Sequence, residues 1–390
     1  MRKLKVVSLT HGGIQNSTGR QRYSKLFDHP DIDLTLVVPD KWYDYKRTVN
    51  PDPALPGTKV LIEKIRFNHF PKVEWYLHYY PKLRSILEKI QPDVIHLWEE
   101  PWAIVSIQAA LLRNTYFRNA AIVLETDQNI IRKLPVPFQQ IRKYMLNQTD
   151  LLIGRCDEAL DVSRHWGYKG STSIVEYGVE RINFLPHNRQ QAAEKYNVKH
   201  FTVGYVGRIV SYKGLDDVLD AMVKCNHQIY LNIMGSGPDQ NKLTARIRSL
   251  GLNDQVKLFD SQPAHEVAQF MKSIDVLVLM SRTTKTWKEQ FGRVIMEAHA
   301  CGTPVIGSDS GSIPSVIGPG GWVIKEGDST ALANLFDRLY ENPNEMRAAG
   351  ESGLHQADTR FNFDVISNAL LQSYQKAARQ RAMRLELHKL

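Results

Sequence analysis

Short apolar runs separated by helix-period segments recur along these 390 residues, and the pattern starts twice. Lys5-Val-Val-Ser-Leu, Leu34-Thr-Leu-Val-Val, Val94-Ile-His-Leu and Ala121-Ile-Val-Leu read as strands buried on both faces. Each leads through a loop into a helical stretch, the βαβ order of a parallel, doubly wound sheet. A turn-rich crossing around Tyr177-Gly178-Val179 and Leu185-Pro186 interrupts the series. The alternation then resumes with Thr202-Val-Gly-Tyr-Val, Ile229-Tyr-Leu-Asn-Ile-Met, Val256-Lys-Leu-Phe, Val276-Leu-Val-Leu-Met, Pro304-Val-Ile and Gly321-Trp-Val-Ile. The expectation is an α/β chain of two Rossmann-like domains, residues 1–183 and 184–365, with a ligand in a central cleft. Residues 366–390 read as a helix rich in lysine and arginine.

Composition removes several alternatives. Hydrophobic residues make up 43% and charged residues 23%, which is globular and not disordered. Cys156, Cys225 and Cys301 are odd in number and form no C-x-x-C pair, which points to a reducing compartment without a disulfide framework or zinc site. The apolar run at the N-terminus is too short for a secretory segment and reads as a first strand. The formal charge of +9 favours anionic ligands in general. Residues 1–180 carry 25 basic and 20 acidic side chains against 25 and 21 in the remainder, so no basic arm stands out. Nucleic acid is therefore not an expected partner.

Glu289-Gln-Phe-Gly-Arg-Val-Ile-Met-Glu297, continuing into Ala-His-Ala-Cys-Gly302-Thr-Pro304, is the segment richest in chemistry. Arg293 to Ala300 reads as a helix, with Gly302 as its stop. Eight residues rotate by about 800°, roughly 80° past two turns, so the two glutamates cannot share a helical face. Glu289 is better placed in the loop before the helix and Glu297 in its second turn. The N–H groups of Gln290, Phe291 and Gly292 would then form a seat for phosphate at a helix N-terminus. Two carboxylates that accept hydroxyls on either side of an anion seat suit a nucleotide sugar. An isolated E-x7-E would equally describe an amphipathic helix with two solvated glutamates.

The whole segment resembles the donor-site signature of retaining GT-B glycosyltransferases of family GT4. Glu-x-Phe-Gly, Glu-Ala, Gly-Thr-Pro-Val-Ile-Gly and Ser-Gly-Ser-Ile-Pro follow in that family's order. The resemblance is strongest over about residues 200–320. Gly207-Arg208-Ile-Val-Ser-Tyr-Lys213-Gly214 is similar to the motif that holds the donor diphosphate, which implies that role for Arg208 and Lys213. It also implies that Glu289 contacts the transferred sugar and Glu297 the ribose, and that Arg293 lies in the donor site. Gly235 begins a Gly-x-Gly-Pro turn with a mainly structural role, and Gly13 lies in a glycine-rich loop that faces the donor. Where many members carry a histidine beside the transferred sugar, this chain has Asp127 or Gln128, depending on a one-residue alignment choice. In GT-B enzymes a C-terminal helix crosses back to the first domain, and residues 366–390 are placed to do so.

The implied activity is metal-independent, retaining sugar transfer from a nucleotide-diphosphate sugar, a UDP-sugar before a GDP-sugar, to a hydroxyl acceptor in glycolipid or polysaccharide synthesis. No cofactor is implied. A non-catalytic nucleotide-sugar-binding module and a nucleotide-sugar 2-epimerase on the same fold remain open alternatives. Asp31-Ile-Asp33 matches the D-x-D string of GT-A enzymes, but it opens a strand without other carboxylates and is read as a chance match. Asn129 to Thr149 mixes Arg132, Lys133, Arg142 and Lys143 with large apolar residues and no acid. It either packs into the first domain or rests on an anionic bilayer, which gives a cytoplasmic protein with peripheral attachment to the inner membrane face and a lipid-linked acceptor as one outcome.

Overall fold

The computed structural model describes residues 2–16, 19–44, 47–67, 74–186 and 188–387. Ser17 and Thr18 of the glycine-rich loop and Lys389 of the terminal segment lie outside the described residues. The chain forms two compact units, Met1–Tyr177 with Phe363–Leu390, and Gly178–Asn362. The divisions thus fall at 177/178 and 362/363, where the sequence reading set 183/184 and 365/366. The Val179 N–H donates to the Phe361 carbonyl at 2.7 Å, which ties the entry and exit of the second unit together.

Unit 1 carries β1 (Leu4–Thr10), β2 (Ile32–Pro39), the hairpin β3 (Trp42–Asp44) and β4 (Arg47–Val49), and β5 (Val60–Glu63). β6 (Val94–Trp98), β7 (Ala121–Thr126), β8 (Leu151–Gly154) and β9 (Ser171–Ile174) complete it. All but the hairpin form one parallel sheet in the order β5-β2-β1-β6-β7-β8-β9. Alternate residues feed two cores, as the strand period of two requires. Val7, Leu9, Ile95, Leu97, Ile122 and Leu124 pack on one face. Val6, Val94, Ala121 and Val123 pack on the other, beneath the final helix Phe363–Leu387. That helix contributes Ile366, Leu370, Tyr374 and Ala377 to the core. Hence the last helix of the chain belongs to the first unit.

The Tyr374 hydroxyl also reaches the His96 Nδ1 at 3.0 Å, while the His96 Nε2 meets the Glu125 carboxylate at 3.0 Å. Arg22 and Arg155 pair with the same Glu125 carboxylate, while burial lowers the His96 pKa and favours its neutral ring. These groups are all buried, so the cost of desolvating the carboxylate is offset only by close pairing.

Unit 2 contains β10 (Thr202–Val206), β11 (Tyr230–Met234), β12 (Val256–Phe259), β13 (Val276–Leu279), β14 (Val305–Ser308) and β15 (Gly321–Ile324). They pair in parallel in the order β12-β11-β10-β13-β14-β15. Val203, Tyr205, Leu231, Ile233, Val276 and Val278 anchor the core.

Both sheets reverse direction beside their first strand: β1 lies between β2 and β6, and β10 between β11 and β13. Loops leaving the carboxyl ends on either side of such a reversal diverge and leave a crevice where ligands bind. Among the described residues no helix is long and apolar enough to cross a membrane.

Candidate functional site

In unit 2 the loops after β10 and β13 meet at the switch point. The loop after β10 carries Arg208 and Lys213, and the loop after β13 carries Ser281 and Glu289. The Lys213 ammonium donates to the Glu289 Oε2 at 2.6 Å, and the Ser281 hydroxyl donates to the same oxygen at 2.8 Å. The ammonium also lies 4.8 Å from the centre of the Trp287 ring, which packs at a tilt against Tyr212 with centroids 4.2 Å apart. Glu289 is buried, whereas Arg208 is exposed.

Backbone-to-backbone packing fixes these loops. Gly214 has φ +71°, and a Cβ there would stand 1.7 Å from the Met280 carbonyl oxygen. Only glycine allows the end of the Lys213 loop to approach the start of the Glu289 loop so closely. Gly235 does the same on the other side, because its Cβ would fall 1.9 Å from the Gly207 carbonyl oxygen. The Gly207 N–H donates to the Met234 carbonyl at 3.1 Å and the Ile209 N–H to the Ser236 carbonyl at 2.9 Å. The Gly235 turn therefore holds the strand end from which Arg208 projects.

The helix that follows Glu289 runs from Arg293 to Ala300, with Gly292 at its N-cap in the left-handed conformation at φ +80°. This is the helix read from the sequence, with Glu289 before it and Glu297 in its second turn. Gln290 and Arg293 are exposed, while the Phe291 side chain is buried against Phe361. Glu297 is half-buried. Burial pushes its carboxyl above the ordinary value, and Arg293 opposes that rise.

The equivalent reversal in unit 1 brings together residues to which the sequence assigned no individual role. His11 follows β1 and Glu99 follows β6. The His11 Nδ1 lies 2.7 Å from the Glu99 Oε2, and the His11 N–H donates to the other oxygen at 2.8 Å. Trp42 stacks on the imidazole at 4.5 Å. Burial lowers the His11 pKa, but Glu99, Asp127 and Glu100 together raise it on balance. Next to Glu99, burial and the neighbouring Asp127 push Glu100 up to about 8, although Thr126 donates to it at 2.9 Å. Position at the strand ends beside the β1/β6 reversal is the signal that would have singled out His11 and Glu100.

Asp127 follows β7 and is held by the Arg155 Nε at 2.8 Å and the Tyr177 hydroxyl at 2.7 Å. Gln128 is buried, and its side-chain carbonyl accepts from the Ile130 N–H at 3.3 Å. Of the two candidate positions, Asp127 keeps a side chain 22% exposed. Gly13 lies in a compact loop stapled by Arg20, whose Nε donates to the Gly13 carbonyl at 2.6 Å. A further Arg20 nitrogen reaches the Asp52 carbonyl at 2.8 Å.

Asp31 and Asp33 stand at the amino end of β2, and Asp33 pairs with Lys59. The ligand-bearing loops leave the other end of the strands. Among the described residues no cluster of three or more His, Cys, Asp or Glu side chains is arranged to hold a metal ion.

Comparison with known proteins bears on the family and the fold. Residues 187–356 match the family model of glycosyl transferases group 1. A D-inositol 3-phosphate glycosyltransferase of Segniliparus rotundus is 28% identical over 221 residues, which are 54% of this chain and 48% of that protein. The match thus spans about half the length of that curated relative. Sucrose-phosphate synthase from Thermosynechococcus elongatus superposes with a TM-score of 0.73 at 21% identity, covering 96% of this chain and 99% of its own. Anabaena HepE in complex with UDP-glucose gives 0.69 at 18% identity, with 95% and 99% covered. Residues 187–356 thus carry the match to glycosyl transferases group 1, and the chain has the GT-B fold of its structural neighbours.

Proposed function

We propose that this protein is a retaining, metal-independent GT4 glycosyltransferase that moves a sugar from a UDP-sugar to a hydroxyl acceptor. The observation that carries the reading is the Lys213–Glu289 pair at the switch point of unit 2, beside the N-terminus of the Arg293–Ala300 helix. A diphosphate would take the ammonium of Lys213 and the exposed guanidinium of Arg208, and the helix N-terminus would accept the remaining negative charge. Release of Lys213 toward the phosphate leaves Glu289 to receive hydroxyls of the transferred sugar. Glu297 would hold the ribose. The choice of uridine is supported by the UDP-glucose bound to HepE.

Retention would follow from front-face transfer. The leaving diphosphate accepts the acceptor's proton as the new glycosidic bond forms on the face it vacates. Lys213, Arg208 and the helix dipole carry the charge that grows on the leaving group, so catalysis rests on positioning and electrostatics. On unit 1, His11, Glu100 and Asp127 are the polar groups we assign to the acceptor, with Asp127 in place of the family histidine.

The test is a thermal-shift and transfer panel of UDP-, GDP- and ADP-sugars with EDTA present throughout. A preferred UDP-sugar should raise the melting temperature by mass action. Glu297→Ala should weaken nucleotide binding by about 1.5–3 kcal/mol, the worth of a hydrogen bond to a charged group. Glu289→Ala should instead lower turnover more than nucleotide affinity. Wild-type transfer by Glu289→Ala, or loss of activity in EDTA, would sink the assignment.

The acceptor side also suggests where the enzyme works. In the Asn129–Thr149 segment Met145 and Leu146 are buried, so the apolar residues do not all face solvent. Ile131 and Val136 remain 55% and 68% exposed, next to exposed Arg132 and Lys133. A small apolar tip flanked by cations fits an anionic bilayer surface and a lipid-linked acceptor. The protein should float with liposomes containing phosphatidylglycerol, less so at high salt, and not with neutral ones. Absence of flotation in every condition would favour an acceptor free in solution.

A further inference from the structure

A cavity of about 450 Å³ opens in unit 2 at the amino ends of β13 and β14, with Asp275 preceding the first strand and Pro304 the second. Arg208, Lys213 and Glu289 follow the carboxyl ends of parallel strands, so the cavity lies at the opposite edge of that sheet. We propose that it is a second ligand site, built for a phosphate monoester whose dianion sits on Lys272. This inference is independent of the donor assignment.

Lys272 carries the argument. It is only 7% exposed and lines the cavity. Among the described residues its ammonium has neither an ion-pair nor a hydrogen-bond partner, yet it is not fully enclosed by protein and so opens to the cavity. Its stem is buried while the ammonium stands at the cavity wall, so an unpaired cation is presented to whatever enters. Lys272 stands in the last turn of the helix Ala264–Ser273, where the helix dipole favours a cation but fills none of its three donors.

The surroundings favour a compact dianion with an organic group attached. Arg347 lines the cavity from the first turns of the 17-residue helix Pro343–Thr359, whose positive end faces the same space and has no side-chain cap. The Asp275 carboxylate in the wall is already engaged, by Arg189 at 2.6 Å and by the Thr202 N–H at 2.7 Å. It therefore repels an anion less than a bare carboxylate would. Glu351, at the exposed rim, disfavours a ligand that binds by charge alone. Met346, Pro304 and Leu354 supply an apolar wall for the organic group.

Isothermal titration of the full chain at fixed ionic strength, with glucose 6-phosphate, glycerol 3-phosphate and inorganic phosphate, tests the site. An ester should bind saturably and more tightly than inorganic phosphate. Lys272→Met should weaken it by about tenfold or more, as should Arg347→Ala, while Lys213→Ala leaves it intact. No saturable binding, or binding lost in Lys213→Ala and kept in Lys272→Met, overturns the site. Equal affinity for inorganic phosphate overturns its assignment to an ester.

Discussion

Lys213→Ala should lower the turnover number with a UDP-sugar by about 10²- to 10³-fold, the usual cost of removing one group aimed at charge that develops in the transition state. The expectation follows from where the ammonium stands. It reaches 2.6 Å from Glu289 across the switch point of unit 2, and the loop that carries it is locked by the close approach of Gly214 to Met280. A donor that exchanges its diphosphate for Glu289 gains the most from Lys213 when the leaving group is fully charged, so the loss should appear in kcat more than in KM. Removing the lysine also deprives Glu289 of its ammonium partner, which could lower turnover by a second route. Arg208→Ala gives a second reading of the same charge, because its exposed guanidinium is the other cation offered to the diphosphate and its loss should also depress kcat strongly. The Lys213→Ala/Glu289→Ala pair then gives the coupling between the two side chains. A Lys213→Ala protein with wild-type kcat and an intact melting curve would show that the diphosphate lies elsewhere.

The strands legible in the sequence were the long apolar ones. Val94-Ile-His-Leu and Val276-Leu-Val-Leu are buried on both faces, so their hydrophobicity is continuous and bounded. Ser171-Thr-Ser-Ile and Val60-Leu-Ile-Glu were not read as strands because they are sheet edges, half solvated, and their residues need not be apolar. Leu151-Leu-Ile-Gly is central enough, but four residues between two helices give too short a signal. The helix Arg293–Ala300 was legible to the residue because Gly292 and Gly302 mark its two ends. The donor-side candidates emerged from loops with recognisable glycines. His11 and Glu100 were legible only as parts of a glycine-rich loop and a strand-end segment, with no role of their own, because their meeting comes from strand order: β1 and β6 are neighbours only after the crossover that places β2 on the far side. The same reason hid the Glu125 cluster, whose members Arg22, His96 and Arg155 are far apart in sequence and meet only on the face covered by the last helix.

That cluster should make Arg155→Met one of the most destabilising single changes in unit 1, at about 3–5 kcal/mol, the cost of leaving a buried carboxylate without one of its charges. Arg155 is fully buried. It pairs with Glu125, donates to Asp127 at 2.8 Å and to the Val175 carbonyl at 2.8 Å, and lies 4.2 Å from the Tyr177 ring centre. Urea unfolding followed by unit-1 tryptophan fluorescence should show the lower midpoint. Glu125→Gln/Arg155→Met should recover part of the loss, since the pair is then removed together. The pH dependence gives an independent check. Burial alone would raise the Glu125 pKa, but Arg155, Arg22 and His96 hold it far below the ordinary carboxylate value. A carboxylate depressed in the folded state contributes stability above its unfolded pKa of about 4.3, and that contribution is lost as pH falls below it. Stability of the wild type should therefore decline from about pH 4.3 downward, and Arg155→Met should lose less in total, its decline ending at a higher pH because part of the depression is gone. An unchanged urea midpoint in Arg155→Met would mean that the guanidinium contributes nothing net to the fold and that Arg22 and His96 suffice to hold Glu125.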